Sequence, residues 1–230
     1  MKHAVLSPRL LAAAEFVRRG AVFADVGTDH AYLPIFLLEN GVIERAVCSD
    51  INRGPLQNAE RNAKERGLDG KIEFLLADGA EALEGRGASD IAVCGMGGEL
   101  IADIIERAPH LKNPELRLIL QPMSKQSTLR NYLAKNGFKI INEAYSSEAH
   151  HSYVTIHAEY VGVPYEISPV EAEIGIQPYD FSENAARRRY VNDKLSALTK
   201  EACGKALGGR EDKSLEELIY LIKNLLRGNE

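Results

Sequence analysis

Three carboxylates are spaced to fall at the ends of successive β-strands: Asp25 in VFADVGTDHAYLP, Asp50 in VCSDIN and Asp78 in LLADG. Glycine turns accompany them, at Gly27, at Gly79 and in CGMGGEL, Cys94 to Leu100, where three glycines fall within four positions. Glycine turns let a ligand approach the backbone and allow positive φ. Carboxylates beside them accept hydrogen bonds from hydroxyl, amino and ammonium groups. A single Asp after a strand is ordinarily a cap or turn residue, but three in succession around Gly27 point to a ligand site. In order, the strand ends present Asp25, Gly27, Thr28 and Asp29; Asp50 and Asn52; Asp78 and Gly79; then Cys94, Gly95, Met96, Gly97 and Gly98.

A dinucleotide does not fit that set. A G-x-G-x-x-G phosphate loop starting at Gly27 would need glycines where Asp29 and Tyr32 stand. Asp29 would also repel a pyrophosphate, the more strongly in a dry cleft. S-adenosylmethionine fits: it carries a sulfonium, an ammonium and a ribose diol, and no phosphate. Asp50 lies 23 residues beyond Gly27, close to the offset at which an acidic residue meets ribose hydroxyls. Asp78, one strand further, is placed to accept from the adenine amino group.

Other reactive side chains carry less. Cys94 has no neighbouring His in sequence and ends a strand, which makes it a small inert residue beside the ligand. His30 either contacts the ligands or caps the helix that contains Pro34. His110, His150 and His151 read as exposed loop residues, and no spacing of Cys, His and carboxylate suits a metal. Cys48, Cys94 and Cys203 are odd in number and far apart, which argues against a disulfide framework.

The elements that must position these residues alternate in type. Strands are expected over Val22–Val26, Ala46–Asp50, Ile72–Leu76, Asp90–Cys94 and Leu116–Gln121, with helices over Tyr32–Asn40, Pro55–Arg66, Gly98–Arg107 and Lys125–Asn136. That alternation specifies a mostly parallel, Rossmann-like α/β sheet with helices on both faces. Two adjacent extended runs, Phe138–Tyr145 and Tyr153–Tyr160, separated by SSEAHH, add an antiparallel last pair. Pro164 and Pro169 then interrupt regular structure, and two helical patterns, Ser182–Lys205 and Ser214–Leu226, make a hairpin. The division expected is a catalytic domain over 1–163 and a helical domain over 164–230.

Composition restricts the class. A chain of 230 residues with 45% hydrophobic residues can bury a full core. The N-terminal stretch is an amphipathic helix without a signal-peptide pattern, no run spans a membrane, and a cytoplasmic location is expected. A net charge of −5 gives no general attraction to nucleic acid, so an RNA partner would need local basic clusters. Three are available: Arg187, Arg188 and Arg189; Arg9, Arg18 and Arg19; and Lys125 with Arg130.

ADVGTDHAYLPI, SDIN, ADG, CGMGGELI, LILQP and LRNYLAKNGF, in this order and followed by a helical hairpin, resemble the bacterial tRNA (adenine-N1)-methyltransferases that modify adenine 22 in the D-arm. The resemblance covers essentially the whole chain. It implies a class I methyltransferase fold with a C-terminal coiled-coil-like domain, S-adenosylmethionine as donor and tRNA as acceptor. Cofactor contacts carry over to Asp25, Gly27, Thr28, Asp29, Asp50, Ile51, Asp78, Gly79 and Cys94 to Gly97, with Gln121 and Pro122 facing the target base. Met123 stands where the family has Asn, and His151 where Lys is common; Tyr153 is kept. Adenine N1 holds a free lone pair, so alignment rather than a strong base carries the transfer. Asp29 is expected near the cationic centres, Gln121 or His30 orienting the base, and Tyr153, Tyr32 or Met96 stacking on it. A small-molecule methyltransferase would share the cofactor site without needing the hairpin, and a non-catalytic RNA-binding protein with this fold would not bind the donor.

Overall fold

Short apolar runs bounded by glycine and polar turns become strands buried on both faces. Phe23, Ala24, Val47, Cys48, Ile91, Ala92, Leu118 and Ile119 all lie inside, with no polar alternation because helices cover each side of the sheet. The computed structural model describes residues 4–179, 181 and 184–228. Its parallel strands are β1 (Val22–Val26), β2 (Arg45–Asp50), β3 (Ile72–Leu76), β4 (Asp90–Gly97) and β5 (Arg117–Ser124). The last two strands, β6 (Phe138–Glu148) and β7 (His151–Tyr160), form a hairpin. The order is β3-β2-β1-β4-β5-β7-β6, with β7 antiparallel to both neighbours. The expected mixed sheet is therefore present, and the reversal between β1 and β4 creates the crevice in which open α/β sheets bind ligands.

The helices are α1 (Pro8–Ala14), α2 (Tyr32–Glu39), α3 (Arg53–Glu65), α4 (Gly98–Glu106), α5 (Gln126–Lys135), α6 (Pro169–Ile174), α7 (Ala185–Leu207) and α8 (Lys213–Arg227). Several boundaries differ from expectation for identifiable reasons. β4 and β5 run past their expected ends because a bulge at Gly95, φ +84°, keeps the ladder going to Met96–Pro122 and Gly97–Ser124. Much of the polar SSEAHH segment is strand, paired from Ser146–Tyr153 to Glu148–His151, so the hairpin turn is only Ala149 and His150. Pro169 starts α6 instead of ending regular structure: it occupies the first turn, and Ser168 and Glu171 exchange a capping box. Ser182, the expected start of the penultimate helix, lies outside the described residues, and α7 begins at Ala185.

The helical hairpin packs into the same core as the sheet. Ile174, Phe181, Tyr190, Val191 and Ile222 share one buried cluster with Leu118, Leu129 and Ile140. At its centre the Arg130 guanidinium, fully buried, bonds Glu143 (2.7 Å) and the Ala172 carbonyl (2.8 Å). No helix among the described residues is long and apolar enough to cross a membrane.

Candidate donor and base site

The turn after β1 is fixed from two sides. The amides of Gly27 and Thr28 both donate to the Ser49 carbonyl, at 2.8 and 3.0 Å, which ties the turn to β2. Gly27 has φ +78°, and the Met96 methyl occupies the space a Cβ would need. Two constraints therefore require glycine there. Ala31, which precedes α2, is also left-handed at φ 53°, a conformation that costs a non-glycine residue about 1–2 kcal/mol. It turns the chain sharply enough to leave Asp29 and His30 at the rim.

Behind that rim lies a cleft of about 270 Å³ lined by residues of the β1 turn, by Cys94 and Gly95 and by Arg9. Asp25 forms its floor. Burial pushes the Asp25 carboxyl up to about 6, opposed by the Thr28 hydroxyl and reinforced by the charge of Asp50. Thr28 Oγ1 donates to Asp25 Oδ2 at 2.6 Å. Burial likewise pushes the Cys94 and Cys48 thiols up, which keeps both protonated and non-nucleophilic. At the mouth, His30 Nε2 lies 3.2 Å from Asp29 Oδ2, and its ring stacks on Tyr32 at 5.0 Å between centroids. Tyr32 is half exposed.

The remaining strand ends divide. Asp50, Ile51 and Asn52 continue the rim beside Gly27, and Asp50 Oδ1 accepts from the Asn52 amide at 2.7 Å, leaving its other oxygen for a ligand. Asp78, with Gly79 next to it, already has a partner: both guanidinium nitrogens of Arg107 reach its carboxylate at 3.1 Å. Sequence reasoning missed Arg107, whose signal was only its place at the end of α4. Gly97 abuts Ser124 Oγ, and Gly98 is required because the Lys125 backbone leaves no room for a Cβ.

Arg9 was expected on an RNA-facing surface, and instead lines the cleft. Its Nη1 donates to Gln121 Oε1 (3.0 Å), and Gln121 Nε2 donates to the Arg9 carbonyl (2.7 Å) and to Thr155 Oγ1 (2.8 Å). Gln121 and Pro122 are therefore buried and do not face a base as expected. The exposed rim at the end of β5 is Met123 and Ser124, continued by Lys125 before α5. Tyr153 sits at the end of β7 next to that rim, half-buried, with His151 as ring neighbour.

The basic clusters need larger corrections. Arg130 contacts no solvent, because its charge is consumed by Glu143 in the core. Arg187 is spent internally: its Nη1 and Nη2 donate to the Pro178 and Ile176 carbonyls, and its guanidinium lies 5.1 Å from the Tyr145 ring centre. Arg189 donates to the Ala149 carbonyl at 3.0 Å. Arg188 is half-buried and engaged as well. Arg18 clamps the buried Asp90, Nε to Oδ1 at 2.7 Å, and Arg19 bonds the Gly41 carbonyl. Among the described residues no cluster of three or more His, Cys, Asp or Glu could hold a metal.

A family model described as "Methyltransferase domain" matches residues 6–156. A Bacillus subtilis protein named tRNA (adenine(22)-N(1))-methyltransferase is 36% identical over 159 residues, which cover 69% of this chain and 67% of that protein. The Streptococcus pneumoniae Sp1610 structure in complex with S-adenosyl-L-methionine is 34% identical, with a TM-score of 0.82 over 96% of this chain and all of that one. M. capricolum TrmK in complex with S-adenosyl-homocysteine is 27% identical, with a TM-score of 0.76 over 97% of this chain and 96% of that one.

Proposed function

We propose, for a chain that belongs to the family of bacterial tRNA (adenine(22)-N1)-methyltransferases, that it methylates N1 of adenine 22 in the D-arm of tRNA with S-adenosylmethionine as donor. The observation that carries this reading is the cleft between β1 and β4: it sets Asp29 and Tyr32 where a phosphate loop has glycines, and it is lined by the Asp25 and Asp29 carboxylates together with the Arg9 guanidinium. The donor has the matching pattern of an ammonium, a sulfonium and one carboxylate. Asp25 and Asp29 face its cationic groups, Arg9 its carboxylate, Asp50 its ribose hydroxyls, and Asp78, held by Arg107, its adenine. Gln121 and Thr155 act on Arg9: they fix its guanidinium over the cleft, a positioning role in place of base contact.

The bound donor supplies a sulfonium methyl group; N1 forms the new N–C bond as the C–S bond electrons return to sulfur. N1 needs no deprotonation first, so the residues here align and stabilise. His30, oriented by Asp29 and stacked on Tyr32, presents its ring at the mouth where the base enters. Asp29 is exposed enough to face the positive charge the base acquires. The N1 edge is normally paired, so the adenine must turn out of its helix, and Tyr32 and Tyr153 offer surfaces for it to stack on. The enzyme works in the cytoplasm, where its tRNA substrate is found.

Incubation of tRNA with isotopically labelled donor, followed by nucleoside mapping, tests the reading. The expected product is N1-methyladenosine at position 22. Label at an exocyclic amine, or only on free adenosine, would overturn it.

A further inference from the structure

One polar cavity is left unused by the donor site. It measures about 230 Å³ and lies where the tip of the β6–β7 hairpin, the first residue of α5 and the middle of α7 meet. Gln126, His150, His151, Ser152, Asp193 and Lys194 line it. Lys194 is the informative member. Its ammonium donates to Gln126 Oε1 (2.5 Å) and lies 5.6 Å from the Tyr190 ring centre, yet it forms no ion pair among the described residues. Burial lowers its pKa, Glu173 opposes that shift, and the Arg130 guanidinium behind it adds repulsion. Asp193, the acidic lining residue, is committed to the Ser152 hydroxyl at 2.6 Å. A half-buried ammonium with no carboxylate at ion-pair distance among the described residues is costly even with Glu173 nearby, and an anion arriving in the cavity would relieve it.

The other lining groups extend that preference. Imidazole N–H and ammonium donors line one space, which suits a ligand that accepts hydrogen bonds. The hairpin tip that carries both histidines is held to α7 by the bond from Arg189 to the Ala149 carbonyl, and Ala149 has φ +51°. β7 is two strands from β4 in the sheet order, so the cavity lies on the same rim as the glycine turn, on the order of 10 Å along it.

We infer that this cavity binds a phosphate group, contributed by the tRNA backbone beside the flipped adenine. The inference rests on the proposed tRNA substrate. It assigns a docking role to His150, His151 and Lys194, in place of the arginines that the core consumes.

The test measures tRNA binding against salt for the wild-type chain, Lys194→Gln and His150→Ala/His151→Ala. Removing a phosphate contact should weaken binding by about three-fold and flatten the plot of log K against log salt by about 0.7–0.9. Donor affinity should stay at the wild-type value, and melting temperature should not fall. Inorganic phosphate alone should move the imidazole NMR signals of His150 and His151 in the wild type and much less in Lys194→Gln. Wild-type affinity and slope in both variants would overturn the inference, and phosphate-induced shifts with unchanged tRNA slopes would show a free-anion site instead. A wild-type chain that neither binds nor methylates tRNA refutes the proposed function itself, a separate and recognisable outcome.

Discussion

Replacing Asp25 by Asn separates the cost of this buried carboxylate from its use. Its pKa rises from 3.8 to about 6, chiefly through burial. The folded chain therefore holds a proton that the unfolded chain releases between roughly pH 4 and 6. Stability falls as pH rises through that window, and the full penalty is present above it. Two units correspond to about 3 kcal/mol, on the order of 10 °C in melting temperature for a chain of this size. Asn keeps the shape and can bond the Thr28 hydroxyl without titrating. The Asp25→Asn chain should therefore gain about 3 kcal/mol relative to the wild type between pH 4 and pH 7, read as the difference between two series of urea or thermal melts. Parallel stability curves for the two proteins would refute the reasoning.

Donor binding should show the opposite preference. A cationic ligand over Asp25 favours its ionised form, so wild-type affinity should weaken as pH falls below about 6 and protons should be released on binding there. In Asp25→Asn the affinity should be lower at pH 7 and lose this component of its pH dependence. Calorimetry in buffers of different ionisation enthalpy measures both. An equal proton release in the two proteins would remove Asp25 from contact with the donor.

Three further groups of substitutions address other parts of the molecule. Gly27→Ala combines a left-handed φ with the Met96 methyl and should destabilise by about 2–4 kcal/mol; adding Met96→Ala should recover the steric part in denaturant melts, and no recovery would remove Met96 as the cause. Gln121→Leu and Arg9→Gln should each raise the donor KM about ten-fold with kcat little changed, and the double variant should be no worse than either; additive losses would break the proposed coupling. Arg130→Met, which leaves Glu143 buried without its partner, should cost about 3–5 kcal/mol and is disproved as a core ion pair by a loss under 1 kcal/mol in chemical denaturation.

The parts legible in sequence are those fixed by neighbours along the chain. Val22–Val26 and Ile72–Leu76 match to the residue, because apolar runs bounded by Gly, Asp and Lys leave a strand few alternatives. The donor turn was equally plain, since Gly27, Asp29 and Tyr32 exclude a phosphate loop by their own chemistry. The α6 start was visible but passed over: SPVE carries Ser, Pro at the first position and Glu three residues after Ser. Gln121, Arg130 and Arg187 were not legible. Their partners lie outside their own elements, at Arg9 and Thr155, at Glu143 and Ala172, and at Ile176 and Pro178. A composition or helix-face argument cannot tell a solvated arginine from one consumed by distant carbonyls.

That consumption changes how an acidic chain can hold RNA. Arg18, Arg86, Arg107, Arg117 and Arg130 are each paired with a carboxylate, so the count of 28 Lys and Arg overstates the cationic surface. In the proposed reading, binding draws instead on cations at the rim: Lys125, which enters α5 in a left-handed conformation at φ 55°, and Lys194 with the two hairpin-tip imidazoles. Few contacts imply a shallow salt dependence, with recognition depending more on the fit of a flipped base between Tyr32, Tyr153 and the donor cleft than on general attraction. The helical hairpin then serves the site by holding the tip of the β6–β7 hairpin through the Arg189 bond to the Ala149 carbonyl, so that the phosphate cavity and the base site keep one distance from each other.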